Sequence, residues 1–552
     1  MDTLSSILWT NEQKIRVPVS AALDWVPCYD KFYCANLEVP LDYGNQSAGT
    51  TYVAFIRQNA ANGTGQDLLF NPGGPGGSGI NLILEGFGDQ IIALGGGKYN
   101  AVSFDPRGVN NSGIALTCFP GHPELREAYW PTVTSPLIPD LSLRAAYSQA
   151  IAQGQFCTKA NENTTAKYGG TSAVVQDLVQ FTNLQAALDG VAEPNKTQIY
   201  YYGVSYGTVI GHTLAALYPD RVGRIIVDSN VNSEDYYNGV TINSVETTDD
   251  DLGWFFGLCA EAGPQKCPFA TSNSSSSDLK ARFDALLVDL VEAPPIVSDL
   301  QASIPQIITK KRVLSTVFQI LYNPATEYPL LAYGLSSLVN KNVTGWLEIE
   351  AVVGAASDPG PFNYTSSAEG EVLDFVTGID AAGRYPIQNV EQYIQVTKEI
   401  EAGDVYFGKE YAEQNVLINA GFKIHPPASQ LFPDRHYEES TLTTLSGFQK
   451  INTSTPVLFV NNAADPITPL SGAKHMFQYF GNSALLVQNS PGHSFTSVKS
   501  ECTLAYVAAY LANATLPSAG TVCEISTRPL VDGEVAAKRS VAHVARRSRR
   551  SY

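Results

Sequence analysis

Gly203-Val204-Ser205-Tyr206-Gly207 decides the fold of this chain. It follows an apolar, aromatic run, Gln198-Ile199-Tyr200-Tyr201-Tyr202, and opens a helix-like segment over 208–217. Strand, G-x-S-x-G, then helix is the context in which this pattern builds a nucleophile elbow. The turn is tight, so a bulky residue two before or two after the serine would clash, and glycine tolerates the backbone angles. The geometry lifts the Ser205 hydroxyl above the sheet edge and aims the next backbone N–H, that of Tyr206, at a substrate. The same five residues alone also describe a glycine-rich turn whose serine caps the helix. The flanks and the residues downstream favour the nucleophile.

The partners come late. Thr455-Pro456-Val457-Leu458-Phe459-Val460 reads as a buried strand, and Asn461-Asn462-Ala463-Ala464-Asp465-Pro466 follows it. A second apolar run, Ala484-Leu485-Leu486-Val487, leads into Asn489-Ser490-Pro491-Gly492-His493-Ser494. An acid thus sits past one strand and a histidine past the next, in the order Ser, Asp, His of α/β-hydrolases. A serine hydroxyl is a poor nucleophile until a neighbouring base takes its proton. His493 is the expected base, and Asp465 would hold its tautomer and stabilise the imidazolium. Singly, Asp465 reads as a turn aspartate before proline and His493 as a loop residue. Asp228, at the end of an earlier strand, is the alternative acid.

A glycine-rich loop, Asn71-Pro72-Gly73-Gly74-Pro75-Gly76-Gly77-Ser78-Gly79, follows the short strand Asp67-Leu68-Leu69-Phe70. Such a loop brings backbone N–H groups close to a developing negative charge, so Gly74 and Tyr206 are the expected oxyanion donors. It lacks the Gly-Lys-Ser/Thr ending of a P-loop.

The 71–79 loop, the elbow followed by Thr208, and Asp465-Pro466-Ile467-Thr468-Pro469 together resemble secreted tripeptidyl aminopeptidases, prolyl iminopeptidase relatives among the α/β-hydrolases. The segment from Cys502 to Cys523 is similar to that family's C-terminal piece. The likeness spans residues 20 to 525 and is weakest in the middle third. It implies a mostly parallel central sheet with helices on both faces and a large helical cap. It also implies an exopeptidase acting on free N-termini. Such specificity needs acidic groups for the substrate ammonium, with Glu348, Glu350, Glu369 and Glu371 as candidates. Two positions depart from the pattern. Asn110 stands where relatives carry glycine, and 375–380 has no cysteine where relatives often read Ile-x-Cys. An esterase, lactonase or tailoring hydrolase of a small metabolite is the alternative on the same fold. A non-catalytic binding protein is a third.

Composition agrees. The chain has 552 residues, 44% hydrophobic and 10% aromatic, as a globular protein does. The formal charge of −18 argues against nucleic acid as a partner. No apolar run reaches the length of about 18 residues that a membrane span needs. The histidines form no H-E-x-x-H or similar pattern, so neither a metal nor another cofactor is expected. The expected partner is a peptide or a small ester or amide.

The eight cysteines pair by proximity as Cys28/Cys34, Cys118/Cys157, Cys259/Cys267 and Cys502/Cys523, one choice among on the order of a hundred connectivities. Sequons stand at Asn45, Asn62, Asn110, Asn163, Asn195, Asn273, Asn342, Asn363, Asn452 and Asn513. Cysteines and sequons favour secretion. The first nine residues, without a basic n-region and with a short apolar core, do not read as a signal peptide, so an intracellular enzyme is the alternative.

The motifs divide the chain into an N-terminal arm (1–50), a first core part (51–232), a cap insertion (233–450), a second core part (451–525) and a basic tail (526–552). Strands are expected at 51–56, 68–70, 99–104, 198–202 and 224–227, with a core helix over 172–188 and cap helices over 278–291 and 390–401. The tail sets Lys538, Arg539, Arg546, Arg547, Arg549 and Arg550 against Asp532 and Glu534, the composition of a disordered end.

Overall fold

Tyr201 and Tyr202 are neighbours in the chain yet pack into different cores. The same alternation runs through Ile225, Ile226 and Val227, and through Leu458, Phe459 and Val460. Side chains of a strand point to opposite faces in turn, so strands apolar on both sides must be covered on both sides. The computed structural model describes residues 5–9, 14–60, 65–129, 141–298, 305–356, 369–432, 448 and 450–532.

The first strands are β1 (Ser5–Trp9), β2 (Lys14–Ser20), β3 (Val26–Cys28), β4 (Phe32–Pro40) and β5 (Thr50–Gln58). Then come β6 (Gln66–Asn71), β7 (Tyr99–Asp105), β8 (Ile199–Val204) and β9 (Val222–Asp228). A separate small ladder pairs β10 (Ile296–Val297) with β11 (Gln306–Ile307). The last strands are β12 (Leu458–Ala464), β13 (Ala484–Pro491) and β14 (Val522–Glu524). The main sheet runs β1-β2-β4-β5-β7-β6-β8-β9-β12-β13-β14, with β3 paired to β4. Every pair from β7 to β14 along this order is parallel. The β4–β5 and β5–β7 pairs are antiparallel.

Helices Thr171–Leu188, Tyr206–Leu217 and Leu470–Phe477 cover one face, and their Val174, Leu178, Phe181, Val209, Ile210 and Met476 fill the first core. Helices Gly88–Leu94 and Glu501–Asn513 cover the other, with Ile91, Val507, Tyr510 and Leu511. This is the α/β-hydrolase fold. Between β9 and β12 the described chain is mainly helical and owns a further core of Phe255, Phe283, Leu314, Val317, Tyr328 and Trp346. The helices expected at 278–291 and 390–401 are Ser276–Glu292 and Val390–Gly403.

Two expectations are corrected. The stretch read as an N-terminal arm contributes β1, β2, β3 and β4 to the main sheet. In β4, Phe32, Cys34, Leu37 and Val39 are buried, a pattern masked in the sequence by mixed composition. The start of the basic tail is packed: Leu530 lies in the helical core, and Arg528 bonds Asp532 and Glu261. The rest of that tail, with its arginine run, lies outside the described residues. The four disulfides are Cys28–Cys34, Cys118–Cys157, Cys259–Cys267 and Cys502–Cys523. No described helix is long and apolar enough to cross a membrane.

Candidate active site

The parallel register sets the site. Asn71 pairs with Gly203, Val204 with Asp228, and Asp228 with Val460, so β6, β8 and β9 end together and β12 runs on beside them to Ala464. Ser205 follows β8 with φ 58° and ψ −127°, a conformation costing on the order of 1–3 kcal/mol outside glycine. Its N–H donates to Asp228 O at 3.1 Å, and its carbonyl accepts from Thr208 N at 2.8 Å, which fixes the turn. The elbow glycines are sterically required. A Cβ on Gly207 would lie 2.5 Å from Asn71 O, and one on Gly203 would fall inside the Gly207 carbonyl. A Cβ on Gly73 would lie 2.7 Å from Ser205 Cβ and 3.0 Å from Tyr206 N, so the glycine-rich loop lies directly against the elbow.

The structure brings Asp465 and His493 together. His493 Nδ1 lies 3.0 Å from both Asp465 oxygens. Asp465 Oδ2 also accepts from Ser229 Oγ at 2.6 Å, and Oδ1 from Ile467 N at 3.1 Å and Thr468 N at 2.9 Å. Burial alone would raise the Asp465 carboxyl. The His493 charge, its hydrogen bond and the Ser229 and Thr468 donors outweigh burial and hold it below its ordinary value. Burial likewise favours neutral His493, but the charge and hydrogen bond of Asp465, with the Asp228 charge, hold its imidazole above the ordinary value. Thr468 Oγ1 is a second neighbour of His493 Nδ1, at 3.2 Å.

Asp228, the alternative acid, is turned to other work. Its oxygens accept from Tyr202 OH at 3.0 Å, Ser494 Oγ at 2.5 Å and Phe495 N at 3.2 Å, and burial pushes its carboxyl up to about 6. Ser229 Oγ also accepts from Ser494 N at 2.7 Å. The end of β9 therefore ties the Ser205 turn, the Asp465 carboxylate and the His493 loop to one another.

Gly74 follows Gly73 in the loop against the elbow, and Tyr206 opens the elbow helix. Asp105 anchors the far end of that loop through Ser78 Oγ at 2.7 Å and Ile80 N at 3.3 Å, and binds Asn111 N at 3.1 Å and Nδ2 at 2.8 Å. Asn110, where the family pattern has glycine, sits at φ 35°, in the left-handed region where asparagine is among the better-tolerated side chains.

Sequence reasoning missed the helical segment's hold on the site. Thr247 Oγ1 donates to Asp465 O at 2.6 Å, and Thr248 Oγ1 to Pro466 O at 2.7 Å. His493 N donates to Tyr322 O at 3.0 Å, and the Tyr322 ring stands edge-on to the imidazole at 5.0 Å. Two proposed ammonium ligands are committed elsewhere. Glu350 forms a two-pronged pair with Arg312 at 2.7 and 2.5 Å and accepts from Trp346 Nε1. Glu371 is buried and accepts from Thr117 Oγ1 and Cys118 N. Glu348 is exposed, and the side chain of Glu369 lies outside the described residues.

Comparisons with known proteins bear on the fold and the family. The model of the alpha/beta hydrolase fold matches residues 68–258, and that of TAP-like protein matches residues 439–523. The serine protease Hip1 of Mycobacterium tuberculosis is 25% identical over 524 residues, covering 93% of this chain and 92% of that protein. The tripeptidyl aminopeptidase of Streptomyces lividans is 28% identical over 234 residues, covering 38% of this chain and 39% of that one. Carboxylesterase B of Mycobacterium tuberculosis matches 88 residues at 36% identity, covering 15% and 16%. Elbow, loop order and relatives converge: the chain is an α/β-hydrolase, a serine hydrolase that resembles the tripeptidyl aminopeptidases.

Proposed function

We propose that the enzyme is an aminopeptidase that releases short peptides or single residues from free N-termini, with Ser205, His493 and Asp465 as its triad. One observation carries the reading: His493 Nδ1 lies 3.0 Å from both oxygens of the buried Asp465 carboxylate, and the end of β9 ties both loops to the strained Ser205 elbow through Asp228 and Ser229. Nδ1–H directed at Asp465 leaves Nε2 unprotonated, as a general base requires.

Ser205 Oγ attacks the substrate carbonyl while His493 Nε2 takes its proton. The oxyanion of the tetrahedral intermediate is held by the N–H groups of Tyr206 and Gly74, each worth about 3 kcal/mol of transition-state stabilisation. His493 then gives its proton to the departing amine, leaving an acyl-enzyme on Ser205. Water attacks the ester with His493 as base again, and Ser205 is released with its proton restored. Asp465 stays ionised throughout, which its donors Ser229 and Thr468 support.

The likeness to a tripeptidyl aminopeptidase supports the peptidase class. Secretion of the mature enzyme is supported by the four disulfides and by sequon asparagines 45, 163, 195, 273, 342, 452 and 513, all exposed. The test is turnover of free-amine mono-, di- and tripeptide anilides, their N-acetylated twins and short-chain esters, with Ser205→Ala as blank. Cleavage of free-amine anilides alone is the expected result. Cleavage of esters alone would replace the peptidase reading with the esterase one.

A further inference from the structure

Gly492 is the residue before His493, and its N–H is shared between two acceptors. Ala464 O lies at 3.2 Å and Asp251 Oδ2 at 2.7 Å. The shorter bond comes from outside the sheet. Asp251 belongs to the helix Thr248–Lys266, the first long helix after β9. It is fully buried, and its other oxygen lies 2.5 Å from Tyr328 OH. Among the described residues it has no lysine or arginine partner.

We infer that Asp251 is a positioning residue for His493, acting through the Gly492 N–H. The inference rests on the triad reading above. A buried carboxyl without a cation is expensive, and a hydrophobic side chain of similar size would serve the packing at lower cost. What the carboxyl supplies is an acceptor at a fixed place beside the histidine. Burial, with the Asp465 charge nearby, pushes Asp251 well up, toward the neutral acid. A neutral carboxyl keeps a carbonyl oxygen for Gly492 and shares its proton with Tyr328, whose hydroxyl also donates to Asp251 O at 2.9 Å.

The loop has room for this contact because residue 492 is glycine. Gly492 has φ 94°, and a Cβ there would lie 2.5 Å from Pro324 Cδ, at the start of the helix Pro324–Val339. The same turn of the Thr248–Lys266 helix holds the acid loop through Thr247 and Thr248. One helical turn therefore grips the loop of the acid and the loop of the base together. It sets their separation from above the sheet.

The test compares Asp251→Leu, Asp251→Asn and Tyr328→Phe in the full chain, by fluorophosphonate labelling of Ser205 across pH and by turnover of the best anilide. Asp251→Leu removes the acceptor. The expected result is labelling and kcat about 30-fold slower with KM within about threefold, the scale of a misplaced catalytic group. Its acid limb moves to lower pH, because a histidine less well aligned to Asp465 loses part of what raises it. Asp251→Asn keeps a carbonyl oxygen for Gly492 and restores rate and pH profile to within about threefold of wild type. Tyr328→Phe leaves the Gly492 contact and stays within the same range. Where leucine prevents folding, Asp251→Ala carries the comparison.

A folded Asp251→Leu that labels at the wild-type rate overturns the inference. So do equal losses in Asp251→Leu, Asp251→Asn and Tyr328→Phe, which would make the site one of packing alone. Wild-type protein that resists labelling at Ser205 is a different failure, that of the triad reading itself.

Discussion

Ser229→Ala removes one hydroxyl and leaves every proposed reacting group in place. Ser229 is fully buried. Its Oγ donates to Asp465 Oδ2 at 2.6 Å and accepts from Ser494 N at 2.7 Å. Loss of a hydrogen bond to a buried carboxylate is worth about 1.5–3 kcal/mol, and an unpaired buried N–H costs about 1–3 kcal/mol. The two share one atom and relax together, so about 3 kcal/mol of folding stability is the expected loss. Asp465 keeps the His493 contact and two backbone donors, so the expected fall in kcat is smaller, about tenfold, or about 1.4 kcal/mol. The pH dependence separates the two parts. Asp465 is held below its ordinary value, so its pairing stabilises the fold above the unfolded carboxylate range and is lost as pH falls through the folded value. The stability gap between variant and wild type is therefore largest near neutral pH and narrows below about pH 4, where the carboxyl protonates. Urea unfolding at several pH values, with anilide turnover, reads both. A gap under about 1 kcal/mol at neutral pH, together with unchanged kcat, would refute the claim that Ser229 supports the acid.

Asp465→Asn should lower kcat by about 10⁴-fold, because the amide favours the wrong imidazole tautomer. In the wild type the raised His493 places the acid limb of kcat/KM above the ordinary imidazole value of 6.5, and the residual activity of Asp465→Asn should show that limb at lower pH. Gly207→Ala puts a methyl 2.5 Å from Asn71 O and should cost about 1–3 kcal/mol of stability and most of the activity, read by urea melts and labelling. Arg107 and Asp177 form a fully buried pair with bonds of 2.7 Å, and Arg107→Leu leaves that buried carboxylate without a cation, with only the Tyr43 hydroxyl as donor, for an expected loss of about 3–5 kcal/mol by urea unfolding.

The core of the fold was legible because its signals are local. A strand apolar on both faces, a glycine-flanked serine and a following helix occupy consecutive residues, and so do the strand-plus-acid and strand-plus-histidine units. What stayed illegible depends on contacts between distant segments. Ser229 looks like any serine after a strand, and only the fold brings it against Asp465, 236 residues on. Asp251 carries no motif, because its role comes from a helix laid over the His493 loop. Glu350 and Glu371 show the converse: an acidic side chain in a cap reads as free until the fold supplies Arg312, or Thr117 and Cys118, to occupy it. The strands before residue 50 were missed because they are of mixed composition and, apart from the short parallel β2–β4 pairing, are joined antiparallel, which leaves no βα rhythm.

Three serines, Ser205, Ser229 and Ser494, hold positive φ angles of 58°, 58° and 74°. Each follows the end of a strand, β8, β9 or β13, where glycine would remove a strain on the order of 1–3 kcal/mol per residue. Each hydroxyl has a task that glycine could not perform. Ser205 carries the proposed nucleophile. Ser229 joins Asp465 to the Ser494 N–H, and Ser494 Oγ donates to Asp228 at 2.5 Å. Asp228 returns the link by accepting the Ser205 N–H on its carbonyl. Ser229 and Ser494 are thus linked through their hydroxyls, and the Ser205 turn joins them through the Asp228 backbone. At these three positions the strain lies where side-chain placement must be held to a fraction of an ångström for proton transfer, next to strands joined in parallel register.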